Sequence, residues 1–286
     1  MFKNKFRKLI SMFLIFATLV SCITFCETSA SAKSTSNKFT LYVTGYENYK
    51  YCREVLSLVN KERKKRKLKS LSMPKSLLEY ANGRAAETSI YFSHTRPDGS
   101  DCLAKSSYSG ENIALGSPTP KEVVKNWMNS SGHRRNILNP NFNSIGIGCF
   151  QNIDSKGTAT GTYWVQSFVS YKSKTATVKK NKELVRYKIK CIPKYAKIVK
   201  NDSSYSVKIG KNTTACIRAK GLGTGGLLPA LSFLDNSSFN FSTSNKKIAT
   251  VNTKGIIKGI SKGKCKVTAT IKGTNQKISF TVYVTK

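Results

Sequence analysis

Apolar and polar positions along the chain change period twice, which divides it into three kinds of segment. Near the start, Lys3, Lys5, Arg7 and Lys8 precede an apolar run over residues 9–20. Those 12 residues suit the core of a signal peptide and are too short to cross a bilayer as a helix. Ala30-Ser31-Ala32 follows as a small-x-small cleavage site, so residues 1–32 read as a signal peptide and 33–46 as a loose polar leader. A helical period then takes over. Residues 49–68 put Val55, Leu58 and Val59 on one stripe, with the basic run 61–67 on the solvated side. Residues 74–91 repeat Leu77, Leu78, Ala81, Ala85 and Ala86 at helical spacing. Thr119, Pro120 and Glu122 form a capping box for a third helix, whose buried stripe is Val123, Val124, Trp127 and Met128. Ser131-Gly132 reads as its end, leaving His133 at a helix terminus.

From there the period becomes two. Residues 144–150 and 161–171 read as partner strands, with Tyr163, Val165 and Ser167 alternating against Trp164, Gln166 and Phe168. Beyond residue 174, short alternating runs at 187–192, 205–209, 213–219, 239–242, 249–252, 264–271 and 277–284 read as strands with no helix among them. The fold class is therefore α+β in the first half, followed by an all-β sandwich.

Charge sharpens the division. The formal net charge is +35 over 286 residues. Residues 47–172 carry 19 Lys and Arg against ten Asp and Glu, whereas residues 173–286 carry 24 against three. Such a field attracts polyanions and is screened by salt. For an exported chain the partners to expect are anionic cell-wall polymers or a membrane surface. Nucleic acid is a poor expectation, because no reading motif accompanies the charge. Removing residues 1–32 leaves Cys52, Cys102, Cys149, Cys191, Cys216 and Cys265, for which bridges and buried thiols both stay open. An alternative to plain secretion is a lipoprotein: Leu19-Val20-Ser21-Cys22 looks like a lipobox that would anchor the chain at Cys22.

Candidate chemistry concentrates in the first half. The two histidines, His94 and His133, each sit in a polar cluster, Ser-His-Thr-Arg-Pro-Asp-Gly and Ser-Gly-His-Arg-Arg-Asn. Glu111 lies between them in Gly-Glu-Asn-Ile-Ala. Imidazole and carboxylate are the groups that hold a divalent cation or move a proton near neutral pH. Spacing alone nominates no metal site, since no His-Glu-x-x-His arrangement occurs.

The ordered set of these pieces resembles the CAP superfamily (SCP domain), the cysteine-rich secretory, antigen 5 and pathogenesis-related 1 proteins. It runs from Val55-Leu56-Ser57-Leu58-Val59-Asn60 through His94 and Gly110-Glu111-Asn112. It ends with Trp127-Met128-Asn129-Ser130-Ser131-Gly132-His133, Ile145-Gly146-Ile147-Gly148 and Tyr163-Trp164-Val165-Gln166. The resemblance implies an α-β-α sandwich over residues 47–172. It also implies a cleft lined by two histidines and two glutamates, in which some members bind zinc. By position, His94, Glu111 and His133 match three of the four, and Ser130 stands where the second glutamate is expected. Two His and one Glu can still hold zinc with an open position for water, while a serine hydroxyl is a poor ligand. Residues 241–251, 255–263, 266–271 and 281–284 resemble a bacterial Ig-like group 2 module over 202–286. Residues 173–201 are then a linker or extra strands of that module.

The leading functional expectation is a secreted, envelope-associated protein with a ligand in the His94, Glu111, Ser130, His133 cleft and a cationic Ig-like module for attachment. A zinc-dependent hydrolase acting on peptide or wall substrates is an alternative, as is the lipid binding that the resemblance implies for some members. Catalysis is not the expectation, since no nucleophile motif is present. Trp127, Tyr163, Trp164 and Phe168 are expected in the core, and Arg134 and Asn136 as structural hydrogen-bonders.

Overall fold

The computed structural model describes residues 38–103, 109–154, 156–221 and 231–286; the expected signal peptide, its expected cleavage site and Cys22 lie outside them. The first half runs β1 (Phe39–Glu47), α1 (Tyr49–Lys64), α2 (Lys75–Ile90), β2 (Ser109–Leu115), α3 (Pro120–Asn129), α4 (Ser131–Ile137), β3 (Ser144–Ile153), β4 (Ala159–Val169) and β5 (Glu183–Cys191). Its five strands form one antiparallel sheet in the order β2-β4-β3-β1-β5.

Helices cover both faces of that sheet, giving the α-β-α sandwich. Successive residues of a strand point to opposite faces. In β3, Ile145, Ile147 and Cys149 point into the core shared with α1 and α3, alongside Val55, Val59, Val123, Trp127 and Trp164. The other face carries Ile113, Phe150 and Val165 against Ala81, Ala85, Ala86 and Ile90 of α2. Gly146 and Gly148 also face α2, and there only glycine fits. A Cβ would sit 2.1 Å from Leu77 O at Gly146 and 2.0 Å from Ala81 O at Gly148. The backbone of α2 therefore lies directly on β3.

Three sequence expectations change here. The segment expected as a loose leader contains β1, where Phe39, Leu41 and Val43 are buried and alternate with half-exposed residues. The segment expected as a linker or as part of the second module supplies β5, which pairs with β1 from Phe39↔Cys191 to Glu47↔Glu183. Buried Glu47 locks this pairing by accepting hydrogen bonds from the Tyr49 and Tyr187 hydroxyls. The third helix does not end at Gly132. It stops at Asn129, and Ser130 is the junction to α4, whose first turn holds Gly132 and His133.

Among the described residues, the regular elements of the second half are all strands apart from a single 3-10 turn. It comprises β6 (Ala196–Lys200), β7 (Ser204–Lys208), β8 (Asn212–Thr214), β9 (Ile217–Gly221), β10 (Leu231–Phe233), β11 (Phe239–Thr243), β12 (Ala249–Val251), β13 (Ile256–Gly259), β14 (Gly263–Ile271) and β15 (Lys277–Thr285). The sheet orders are β10-β9-β6, β11-β14-β15-β7 and β12-β13-β8, with β7 parallel to β15 and every other pair antiparallel. The strand expected at 213–219 is two strands: β8 pairs with β13, and β9 pairs with β6 and β10. A single apolar cluster joins the halves, because Ala196, Ile217, Ala219, Leu234 and Phe239 pack with the α2 side of the first sheet.

Candidate functional site

The site is assembled where α2, a tight turn and the edge strand β2 meet. Residues after α2 double back through Pro97-Asp98-Gly99. Asp98 Oδ1 accepts the Ser100 N–H at 3.0 Å and its hydroxyl at 2.6 Å, and Gly99 takes a φ of +88°, which costs glycine little. Arg96 N donates to Ser100 O at 2.8 Å, and Thr95 bridges Asp101 antiparallel. The turn thereby brings His94 and Cys102, eight residues apart in the chain, to the same place.

Glu111 reaches this place from β2, where it pairs with Ser167 of β4. Its side chain is 2% exposed, so its charge needs a partner. Arg84, fully buried on α2, supplies one: Nε lies 3.0 Å from Glu111 Oε2, and Nη2 donates to Oε1 at 3.3 Å. The Arg84 guanidinium also meets Glu87 at 3.3 Å, and Glu87 accepts Arg96 through both oxygens. Two buried or half-buried cations and two carboxylates thus balance one another. The free edge of Glu111 faces His94, whose Nδ1 lies 2.9 Å from Oε1. The His94 side chain is 58% exposed, so the pair opens to solvent.

Cys102 completes the group. Donor atoms of His94, Cys102 and Glu111 all lie within 4.8 Å of one another. Burial, and after it the Glu111 charge, pushes the Cys102 thiol up to about 12. The thiol is therefore a neutral donor to the carboxylate and not a nucleophile at neutral pH. A cavity of about 310 Å³ opens beside it, lined by Leu77, Tyr80, Cys102, Ser167, Phe168 and Tyr171 among others. Ser167 is buried, and its hydroxyl has no hydrogen-bond partner among the described residues.

Of the four residues the resemblance nominated, the structure brings His94 and Glu111 together. Cys102 joins them, and His133 lies near enough to His94 to feel its charge. Glu111 points toward α2, whereas its neighbours Gly110 and Asn112 point toward α4. There the Asn112 amide donates to His133 O at 3.1 Å, and Asn136 donates to Asn112 Oδ1 at 2.8 Å and to Glu111 O at 3.2 Å. Burial, and then the nearby His94 charge, pulls the His133 pKa below its usual value. Ser130 makes no side-chain cap bond to α4. Arg134 donates to Met128 O at 2.8 Å, so it and Asn136 are structural as expected. Arg84 and Cys102 escaped sequence reasoning. The tight Pro-Asp-Gly turn was the one available signal that residues flanking it would meet.

A zinc ion would find His94, Cys102 and Glu111 as donors within 4.8 Å of one another, with the His133 imidazole a further neighbour of His94. Imidazole, thiolate and carboxylate are all zinc donors, and their exposed side leaves a position open. The chain's own residues orient the carboxylate through Arg84 and present one exposed imidazole, that of His94, to solvent.

Comparison with known proteins places these observations. The family described as "CAP: Cysteine-rich secretory protein family" matches residues 56–168, and "Bacterial Ig-like domain (group 2)" matches residues 232–282. The protein YkwD of Bacillus subtilis is 41% identical over 128 residues, covering 42% of this chain and 47% of that one. The membrane protein YlbC of the same organism is 31% identical over 126 residues, covering 41% and 34%. An extracellular protein containing an SCP domain from Bacillus anthracis aligns in structure with 26% identity and a TM-score of 0.38, over 43% of this chain and 41% of that one. The chain spans less than half the length of each of these proteins. With its helices on both faces of one sheet and strands thereafter, the chain carries a domain of the CAP family over residues 56–168, followed by a group 2 bacterial Ig-like domain over residues 232–282.

Proposed function

We propose that this protein works outside a bacterial cell, held at the anionic envelope by its cationic second half while the CAP domain presents a ligand site. The observation that carries the proposal is the arrangement of lysines on the second half. They alternate outward with buried residues: Lys264 and Lys266 flank buried Cys265, and exposed Lys258 follows buried Ile257. Among the described residues, ion pairs engage only Lys180 and Arg186 of the basic side chains beyond residue 173. An array of unpaired, outward cations on a rigid sandwich is a surface for a polyanion. The signal-peptide pattern of residues 1–32 supports the location. On the CAP domain, the 310 Å³ cavity beside the His94–Glu111 pair, with the Ser167 hydroxyl in its wall, is the ligand site.

Co-sedimentation of the full chain with purified, teichoic-acid-bearing cell walls tests attachment. Binding at about 0.05 M NaCl that is released toward 1 M, where the screening length falls to about 3 Å, is the expected result. Retention that ignores both salt and removal of teichoic acid overturns it.

A further inference from the structure

We propose that the outward face of the β1–β5 ribbon is the surface that docks a polyol–phosphate polymer of the envelope. The proposal rests on the attachment reading above and names the surface that performs it. Residues directly opposite one another in an antiparallel pair share a face. The register sets Tyr42 against Lys188, Thr44 against Arg186 and Tyr46 against Leu184. The other face of the ribbon, with Leu41, Val43 and Ile189, is buried in the cluster that contains α2. On the outward face Leu184, Arg186, Lys188 and Lys190 are exposed, and the β1 residues opposite them are half-exposed.

Three features fit that partner. Arg186, Lys188 and Lys190 occupy every second position of β5, about 6.8 Å apart along one face. Phosphodiesters joined by a three-carbon polyol repeat at a comparable interval. Two tyrosine rings fix cations in place: Lys182 Nζ lies 4.0 Å from the Tyr46 centroid, and the Arg186 guanidinium 4.2 Å from that of Tyr42. Cations held this way lose less freedom when a phosphate arrives. Negative charge is also scarce here. Asp235 pairs with Arg186 at 3.2 Å, while Lys182, Lys188 and Lys190 enter no ion pair among the described residues. The same rings argue against single-stranded nucleic acid, which is gripped by bases stacked on open aromatic faces. A cation already covers a face of each ring. A polyol phosphate has no base to stack and asks only for cations and hydroxyls.

Calorimetric titration of the full chain with poly(glycerol phosphate), at about 0.15 M NaCl where the screening length is about 8 Å, tests the proposal. Lys188→Ala combined with Lys190→Ala should weaken binding about fivefold or more. The charge-matched pair Lys264→Ala with Lys266→Ala, on β14, should change it by less than about twofold. All four lysines are exposed, so both variants should keep the fold, which near-ultraviolet circular dichroism checks. Equal losses in the two variants overturn the proposal and leave attachment by overall charge standing. No binding by the unaltered chain overturns both. Single-stranded DNA of equal charge bound more tightly than the polymer overturns the proposed partner, and with it the proposal.

Discussion

Asn152 and Phe233 exchange two hydrogen bonds: Asn152 Nδ2 donates to Phe233 O at 3.1 Å, and Phe233 N donates to Asn152 Oδ1 at 2.9 Å. A side-chain amide on the CAP sheet thus acts as the neighbour that strand β10 lacks, and the joint is fully buried at Asn152. Asn152→Ala leaves a buried N–H and a buried C=O without partners, each costing about 1–3 kcal/mol, so a loss of about 2–5 kcal/mol is expected. Urea unfolding measures it. Both tryptophans, Trp127 and Trp164, lie in the CAP domain, so their fluorescence should separate from far-ultraviolet dichroism in the variant. Coincident transitions with a loss below about 1 kcal/mol contradict the assignment.

Asp235 stitches the same seam and makes it pH-dependent. Burial raises its carboxyl pKa, but the Ser237 N–H and hydroxyl, the Thr44 hydroxyl and Arg186 outweigh burial and hold it below the ordinary Asp value. Thr44 donates at 3.0 Å, and Arg186 Nε lies at 3.2 Å. The unfolded chain then binds this proton more readily than the folded one. The stabilisation is complete above the unfolded pKa near 3.9 and is lost as pH falls through the folded value. Asp235→Asn should flatten the acid limb of a stability-against-pH curve below about pH 5 and leave the shape near pH 7 unchanged. An acid limb as steep in the variant as in the unaltered protein counts against this role.

The layered CAP fold was legible because its patterns are local. Leu77, Leu78, Ala81, Ala85 and Ala86 repeat on one helical stripe, and Tyr163 to Phe168 alternate as a strand. What stayed hidden depends on partners distant in sequence. Phe39, Leu41 and Val43 alternate for only a few residues, and β1 becomes a strand by pairing with residues 183–191. The ligand grouping had a similar limit. Position within a motif nominates His94, Glu111 and His133, but only the folded chain shows the 2.9 Å contact between His94 and Glu111. Cys102 lies in no motif; the hairpin-like turn delivers it. Arg84 looks like one more basic residue on a helix until it is seen to be the buried counter-ion of Glu111.

Gly148 and Gly132 offer a matched pair. Alanine at Gly148 would push its Cβ to 2.0 Å from Ala81 O and 2.8 Å from Asn82 N, both backbone atoms that move only with α2. Overpacking of this kind costs about 1–3 kcal/mol, or roughly 2–12 °C in a domain of this size. At Gly132, within α4, nothing lies within 4 Å of an added Cβ. Alanine there should hold or raise the melting temperature, by about 0.4–1 kcal/mol of stability. Scanning calorimetry of both variants checks the contrast, and equal shifts contradict the packing of α2 on β3.

Arg63 tests how α4, and with it His133, is held. It belongs to a run that reads as a solvated helix face, yet its side chain is fully buried. The guanidinium donates to four carbonyls: Lys69 O at 2.8 Å, Ile137 O at 2.8 Å, Asn139 O at 2.9 Å and Phe142 O at 3.3 Å. Burial lowers its pKa, and no carboxylate pairs with it among the described residues, so the carbonyl dipoles carry the compensation. Ile137 O is one of the unsatisfied groups at the end of α4, where a cation is also favoured by the helix dipole. Arg63→Met keeps the apolar stem and strands these carbonyls, for an expected loss of about 3–5 kcal/mol. Arg63→Lys should recover only part of it, since an ammonium cannot reproduce the planar fork. Hydrogen exchange locates the effect: amides of α4 and residues 138–143 should lose protection in Arg63→Lys while those of α2 keep theirs. Uniform loss across both helices would mean that Arg63 supports the whole core and does not hold α4 in particular.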